Sequence, residues 1–251
     1  MSKTLTPYYK KFAVKKKKKT LKAACVLGIL VVFVVMVAGS LGIRQSKMQN
    51  FDAKDFFIVY TGKYILNSQA TEACTKVSDK GGAGVVYSVE NNKFVVASIY
   101  FNQTEATKVQ EKIKTQFSEA NILKISAPKL SLNTCKEIEK TAVCKLFYNS
   151  FYQFCQQLYT LTIKFDTSEV SESDVYKKIL KSKQFLSDCE SQLKKQNGEV
   201  CKLMQESNLV LVEQINGFFS SVFISNNVAK YLKKLYVNSV IEFVNMCKTI
   251  K

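Results

Sequence analysis

Two stretches about 35 residues apart state one pattern twice. "DFFIVYTGKYILNSQATEACTKV" is an apolar run, a polar break and a helix-like stretch carrying Thr-Glu-Ala. "NKFVVASIYFNQTEATKVQEKI" repeats that order, Thr-Glu-Ala included. The β-branched and aromatic run Phe56 to Tyr60 predicts a strand. Asn67 or Ser68 is placed to cap a helix with Ala70, Ala73, Cys74 and Val77 on its apolar side. Gly81 and Gly82 stop it, and "AGVVYSV" supplies a second strand. "NKFVVAS" gives a third after the turn-like Glu90-Asn91-Asn92. Asn102 and Glu105 resemble a capping box, opening a helix with Ala106, Val109, Ile113 and Phe117 on one face. "NILKISA" closes the unit as a fourth strand. The order is βαββαβ, which packs most economically as a four-stranded antiparallel sheet with both helices on one face.

Those residues resemble a known family. Phe57-Ile58-Val59-Tyr60-Thr61-Gly62-Lys63-Tyr64, with Ala70 six residues on, looks like the opening of a SPOR (sporulation- and division-related) domain. That family favours an aromatic-Val-Gln-Leu-Gly-Ser-Phe pattern there. "KFVVASIYFNQTEA" is similar to the family's second-half strand, polar stretch and Glu-Ala. The resemblance covers about 53–128. It implies a ferredoxin-like domain that binds septal peptidoglycan, in particular glycan strands stripped of stem peptides. The typical host is a bitopic membrane protein of bacterial division or sporulation. Tyr60 stands where the family's Gln is usual and Ser98-Ile99 where it has Gly-Pro, so the ligand stays open.

Alternation along the strands divides the sheet faces. If Phe57, Val59, Val95 and Ala97 face the helices, then Phe56, Ile58, Tyr60, Phe94, Val96 and Ser98 face away. That second face is strongly apolar for a solvated sheet. Either it is a platform on which sugar rings stack, making these six the glycan-binding residues, or another part of the chain covers it.

A cover is available. Residues 131–251 contain no proline, and their apolar residues fall in four helical seams. Phe147, Phe151, Phe154, Leu158, Leu161 and Phe165 make the first. Val175, Ile179, Leu186, Cys189 and Leu193 make the second, opened by Ser171 and Asp174 and closed by Asn197-Gly198. Cys201, Met204, Leu211, Ile215 and Phe218 form the third, and Leu232, Tyr236, Val240, Phe243 and Cys247 the fourth. Short connections predict an antiparallel bundle, which can dock on the sheet, self-associate or bind division or sporulation proteins.

Charge and hydropathy at the N-terminus suggest a membrane. Of the net charge of +17, nine lysines and no acid fall in residues 1–22. Residues 23–43 are uncharged, and 21 residues at about 1.5 Å each give a helix of bilayer length. The sequence thus predicts a single transmembrane helix, with a cleaved signal peptide as the rival reading. The lysines would hold the N-terminus in the cytoplasm, with Lys15, Lys16, Lys17, Lys18 and Lys19 against anionic headgroups. The expected layout is a tail at 1–22, the span at 23–43, a linker at 44–54, a SPOR-like domain at 55–128 and a helical domain at 131–251. It belongs to a single-pass protein of the bacterial cell membrane, its C-terminal domains extracytoplasmic. A nucleic-acid partner is disfavoured by that layout.

The chain has no histidine, which excludes imidazole acid–base chemistry, Ser-His and Cys-His nucleophile pairs, and His metal sites. Eight cysteines show no C-x-x-C spacing, so no zinc site is signalled. Most sit on helical stripes as buried thiols would, and a disulfide or two stays open in an oxidising compartment. "DKGGAG" at 79–84 leads into a strand without the Lys-Ser/Thr of a phosphate loop. No cofactor, metal or enzymatic activity is expected. Two functions remain: a septal glycan binder, or a membrane-tethered scaffold in which the βαββαβ unit is structural and the bundle binds protein partners.

Overall fold

In β2 (Lys54–Tyr64), residues with branched or aromatic side chains alternate across the centre of an antiparallel sheet. The computed structural model describes residues 50–131 and 138–250. A short strand β1 (Asn50–Phe51) precedes β2. Helix α1 (Asn67–Asp79), β3 (Val85–Val89), β4 (Asn92–Tyr100), α2 (Gln103–Ile113), β5 (Asn121–Ala127) and β6 (Leu130–Ser131) follow. The sheet order is β3-β4-β2-β5, every neighbour antiparallel. That is the split-βαβ order, with β4 between the two strands that α1 connects. β1 and β6 pair as a separate ribbon.

Local chemistry sets the ends of the two short helices. α1 follows Leu66, which makes no side-chain cap, so neither Asn67 nor Ser68 caps it as the sequence suggests. It closes with Gly81 N–H donating to Ser78 O (3.0 Å) and Gly82 N–H to Val77 O (2.9 Å), with Gly81 at φ +86°. Gly84, at φ +59°, is required for a second reason. A Cβ there would collide with the Cys74 carbonyl oxygen and Ser78 Oγ, so only glycine lets β3 start beneath α1. In α2, Asn102 Oδ1 accepts from the Glu105 N–H at 2.8 Å.

Four long helices complete the chain: α3 (Ile138–Asp166), α4 (Glu172–Leu193), α5 (Glu199–Ser225) and α6 (Val228–Ile250). A full capping box between Ser171 and Asp174 opens α4. Asn226 in the left-handed region ends α5, and Asn227 Oδ1 accepts from the Lys230 N–H in the first turn of α6. Of the 21 seam residues named above, 20 are buried, and Phe165 packs partly exposed against the same core.

The transmembrane architecture expected from the sequence needs correction. None of the described helices is long and apolar enough to cross a membrane. Each carries charge on an outward face, as α4 does with Lys177, Lys178, Lys181 and Lys183. The stretch 23–43, like Lys15 to Lys19, lies outside the described residues. The observed fold is a four-stranded antiparallel sheet with six helices among the described residues.

The helices and sheet share one core. A continuous cluster runs from Phe56, Ile58, Val96 and Ile99 of the sheet through Phe147 and Phe151 of α3 to Leu186, Met204 and Phe243. A smaller cluster, Ala70, Val77, Val95 and Ala97, lies under α1 on the opposite face. The architecture is therefore three layers, α1 and α2 on one side of the sheet and α3 to α6 on the other. α6 is the inner helix of the second layer. Leu232, Leu235, Tyr236, Val237, Val240, Phe243, Val244 and Met246 are all buried, a wide apolar face that leaves only a narrow polar stripe at Lys234, Asn238, Asn245 and Lys248.

Candidate functional site: the second face of the sheet

Register decides which side chains this face carries. Residues directly paired across an antiparallel ladder point to the same side. Ile58 pairs with Ile99, Val59 with Ser98, and then Tyr60 with Val96, so Ala97 is an extra residue in β4. A compensating break in β2 brings Lys63 opposite Phe94. Phe56, Ile58, Tyr60, Val96 and Phe94 therefore share the face that joins the large core. Ser98 does not. It pairs with Val59 on the α1–α2 side, where its hydroxyl reaches the Tyr100 phenol.

Most of this face is closed. Phe56, Ile58 and Val96 are 0% exposed. The Phe56 ring lies 5.5 Å from Phe101, 6.1 Å from Phe243 of α6 and 6.4 Å from Tyr152 of α3. Such tilted and edge-on rings add to the gain from burial alone. Tyr236 of α6 donates its hydroxyl to the Ile99 carbonyl at 2.9 Å. That bond ties the helical layer to the C-terminal end of β4 and satisfies a phenol taken out of water. Tyr60 and Phe94 are only half-buried. Their rings meet edge-on at 5.0 Å, and the Lys63 ammonium stands 5.9 Å from the Phe94 ring. These two are the aromatic part of the expected platform that solvent still reaches.

Polar ties cross the layers at the rim. Tyr159 of α3 donates to Glu105 Oε2 at 2.7 Å. Glu105 thus turns to a neighbouring helix with the carboxylate that a capping box would return to Asn102. Lys233 of α6 donates to the Gly81 carbonyl at 3.0 Å and pairs with Asp166 at 2.8 Å, while Lys230 approaches Asp79 at 3.6 Å. Apolar burial pushes the Tyr159 phenol well above its ordinary range, reinforced by the Glu105 carboxylate that accepts its proton. Tyr236 rises for the same first reason, burial.

The buried cysteines are held as thiols. Burial pushes the Cys155 thiol upward, Cys189 up to about 11 and Cys247 up to about 12. Thiols so placed stay protonated and are poor nucleophiles at neutral pH. No group of acids and cysteines among the described residues is disposed to hold a metal. An open groove of about 320 Å³ between the ends of α3 and α4, lined by Ala142, Val143, Gln192, Lys195 and Gln196, brings no acid–base pair together.

Sequence reasoning passed over Tyr148, Tyr152 and Tyr159, which flank the α3 seam and meet the sheet and α6. Their spacing of four and seven was the available signal, a second apolar stripe showing that α3 is covered on two sides. Comparison with family models, with curated proteins and with solved structures finds no match.

Proposed function

We propose that this chain is a non-catalytic scaffold of the bacterial envelope, in which the βαββαβ unit is a structural wall and the helical layer binds protein partners. The complete burial of Phe56, Ile58 and Val96 beneath α3 and α6 carries this reading. A sugar ring could stack there only if the helical layer lifted away, exposing the large core that it shares with the sheet. The helical layer meanwhile leaves large apolar side chains outside. Phe223 is 92% exposed and Ile224 83%, together at the tip of the α5–α6 hairpin. Adjacent exposed apolar residues of this kind are common where proteins meet partners. The resemblance to the SPOR family supports a place outside the bacterial cytoplasm.

A second reading follows from the half-buried pair Tyr60 and Phe94. With Lys63 beside them, they could hold the end of a glycan strand at the margin of the sheet. Sedimentation of the purified 50–251 fragment with peptidoglycan sacculi separates the two. The scaffold is expected to pellet no more than an unrelated control protein. Pelleting that Tyr60→Ala abolishes would refute the scaffold reading and establish the marginal glycan site.

A further inference from the structure

We propose that Cys144 and Cys201 are joined by a disulfide when the chain folds in an oxidising compartment. Cys144 lies in the second turn of α3 and Cys201 in the first turn of α5, and both side chains are buried. Their sulfurs are 3.3 Å apart across 57 residues of sequence. A disulfide needs about 2.05 Å, so facing helices must close by little more than 1 Å. Cys155 of α3 and Cys247 of α6 also neighbour each other in the core, but the sulfur-to-sulfur contact at 3.3 Å is the one between Cys144 and Cys201.

The oxidant is a disulfide-exchange partner, glutathione disulfide or a protein disulfide. One cysteine attacks that disulfide as its thiolate, forming a mixed disulfide and expelling one thiol of the donor. The second cysteine then attacks the mixed disulfide at the sulfur of the first, expelling the donor's other thiol. Each cysteine loses one proton, and the pair loses the two electrons that reduce the donor. Because both sulfurs are buried in the finished fold, exchange begins before α5 settles on α3. The bond closes a loop that contains all of α4, so it restrains the unfolded chain over a long span. This proposal stands on the geometry of the pair and is independent of whether the sheet meets a glycan.

The test refolds the full-length chain with and without glutathione disulfide, alkylates the remaining thiols and maps peptides by mass. The expected result is a linked Cys144–Cys201 peptide in the oxidised sample, with a melting temperature about 10 °C above the reduced chain. Cys189→Ser should keep that increment, and Cys144→Ala with Cys201→Ala should lose it, melting at one temperature with and without the oxidant. Full alkylation of both residues after oxidative refolding would overturn the proposal. So would a bond from either of them to Cys135, which lies outside the described residues.

Discussion

At the residue scale, three aromatic side chains on one sheet face have different surroundings and so different consequences. Phe56 is wholly enclosed by Phe101, Tyr152 and Phe243. Phe56→Ala is expected to cost about 3–5 kcal/mol in chemical denaturation, the usual loss for an aromatic removed from a packed core. Tyr60→Ala and Phe94→Ala remove half-buried rings and should each cost about 1–2 kcal/mol, since solvent already reaches part of the space they leave. Titration of buried groups gives a pH dependence with a definite sign. The native thiols of Cys189 and Cys247, and the phenols of Tyr148, Tyr159 and Tyr236, all hold their protons to higher pH than in the unfolded chain. Their contribution is complete below the unfolded values, near 9 for a thiol and 10 for a phenol, and is lost as pH rises from there. Melting temperature should therefore fall steadily above pH 9. A melting temperature unchanged between pH 9 and pH 11 would show that these groups are not buried as described.

At the element scale, most strands and helices were legible because their signals are local. Period-two and period-3.6 runs, Asn102, Ser171 and the Gly81-Gly82 stop all act within a few residues. The face of Ser98 was not. Ala97 is a bulge inside "FVVASIY", where apolar residues occupy both faces and alternation leaves no mark of the extra residue. Capping gives a clean check. Asn102→Ala removes the one side-chain acceptor at the start of α2 and is expected to cost about 1 kcal/mol by denaturation. At the α5–α6 hairpin, Phe223 and Ile224 have almost no surface to lose. Phe223→Ser with Ile224→Ser should shift stability by less than about 0.5 kcal/mol, while reducing cross-linking to whatever partner the tip engages. A large drop in stability would mean that these side chains pack inside the protein and are not a free surface.

At the scale of the whole molecule, the sequence left the sheet's second face open between a solvated platform and a covered one. Nothing local distinguishes them, because Phe56 and Ile58 read the same whether they meet sugar or Phe243. The hint lay in α6, where Leu235, Val237, Val244 and Met246 add apolar residues beyond the seam at Leu232, Tyr236, Val240 and Phe243. A helix apolar on most sides requires a layer on each of them. With Tyr236 bonded to Ile99 and Lys233 reaching Gly81, sheet and helical layer should unfold together. The chain has no tryptophan, so a single introduced indole reports from wherever it is placed. Val89→Trp on β3 and Leu180→Trp on α4 use partly exposed positions in the two layers. Denaturant curves followed by the fluorescence of these two variants are expected to coincide in midpoint and slope. Two separated transitions, with the β3 probe surviving after the α4 probe has melted, would contradict a shared core and return the sheet face to solvent.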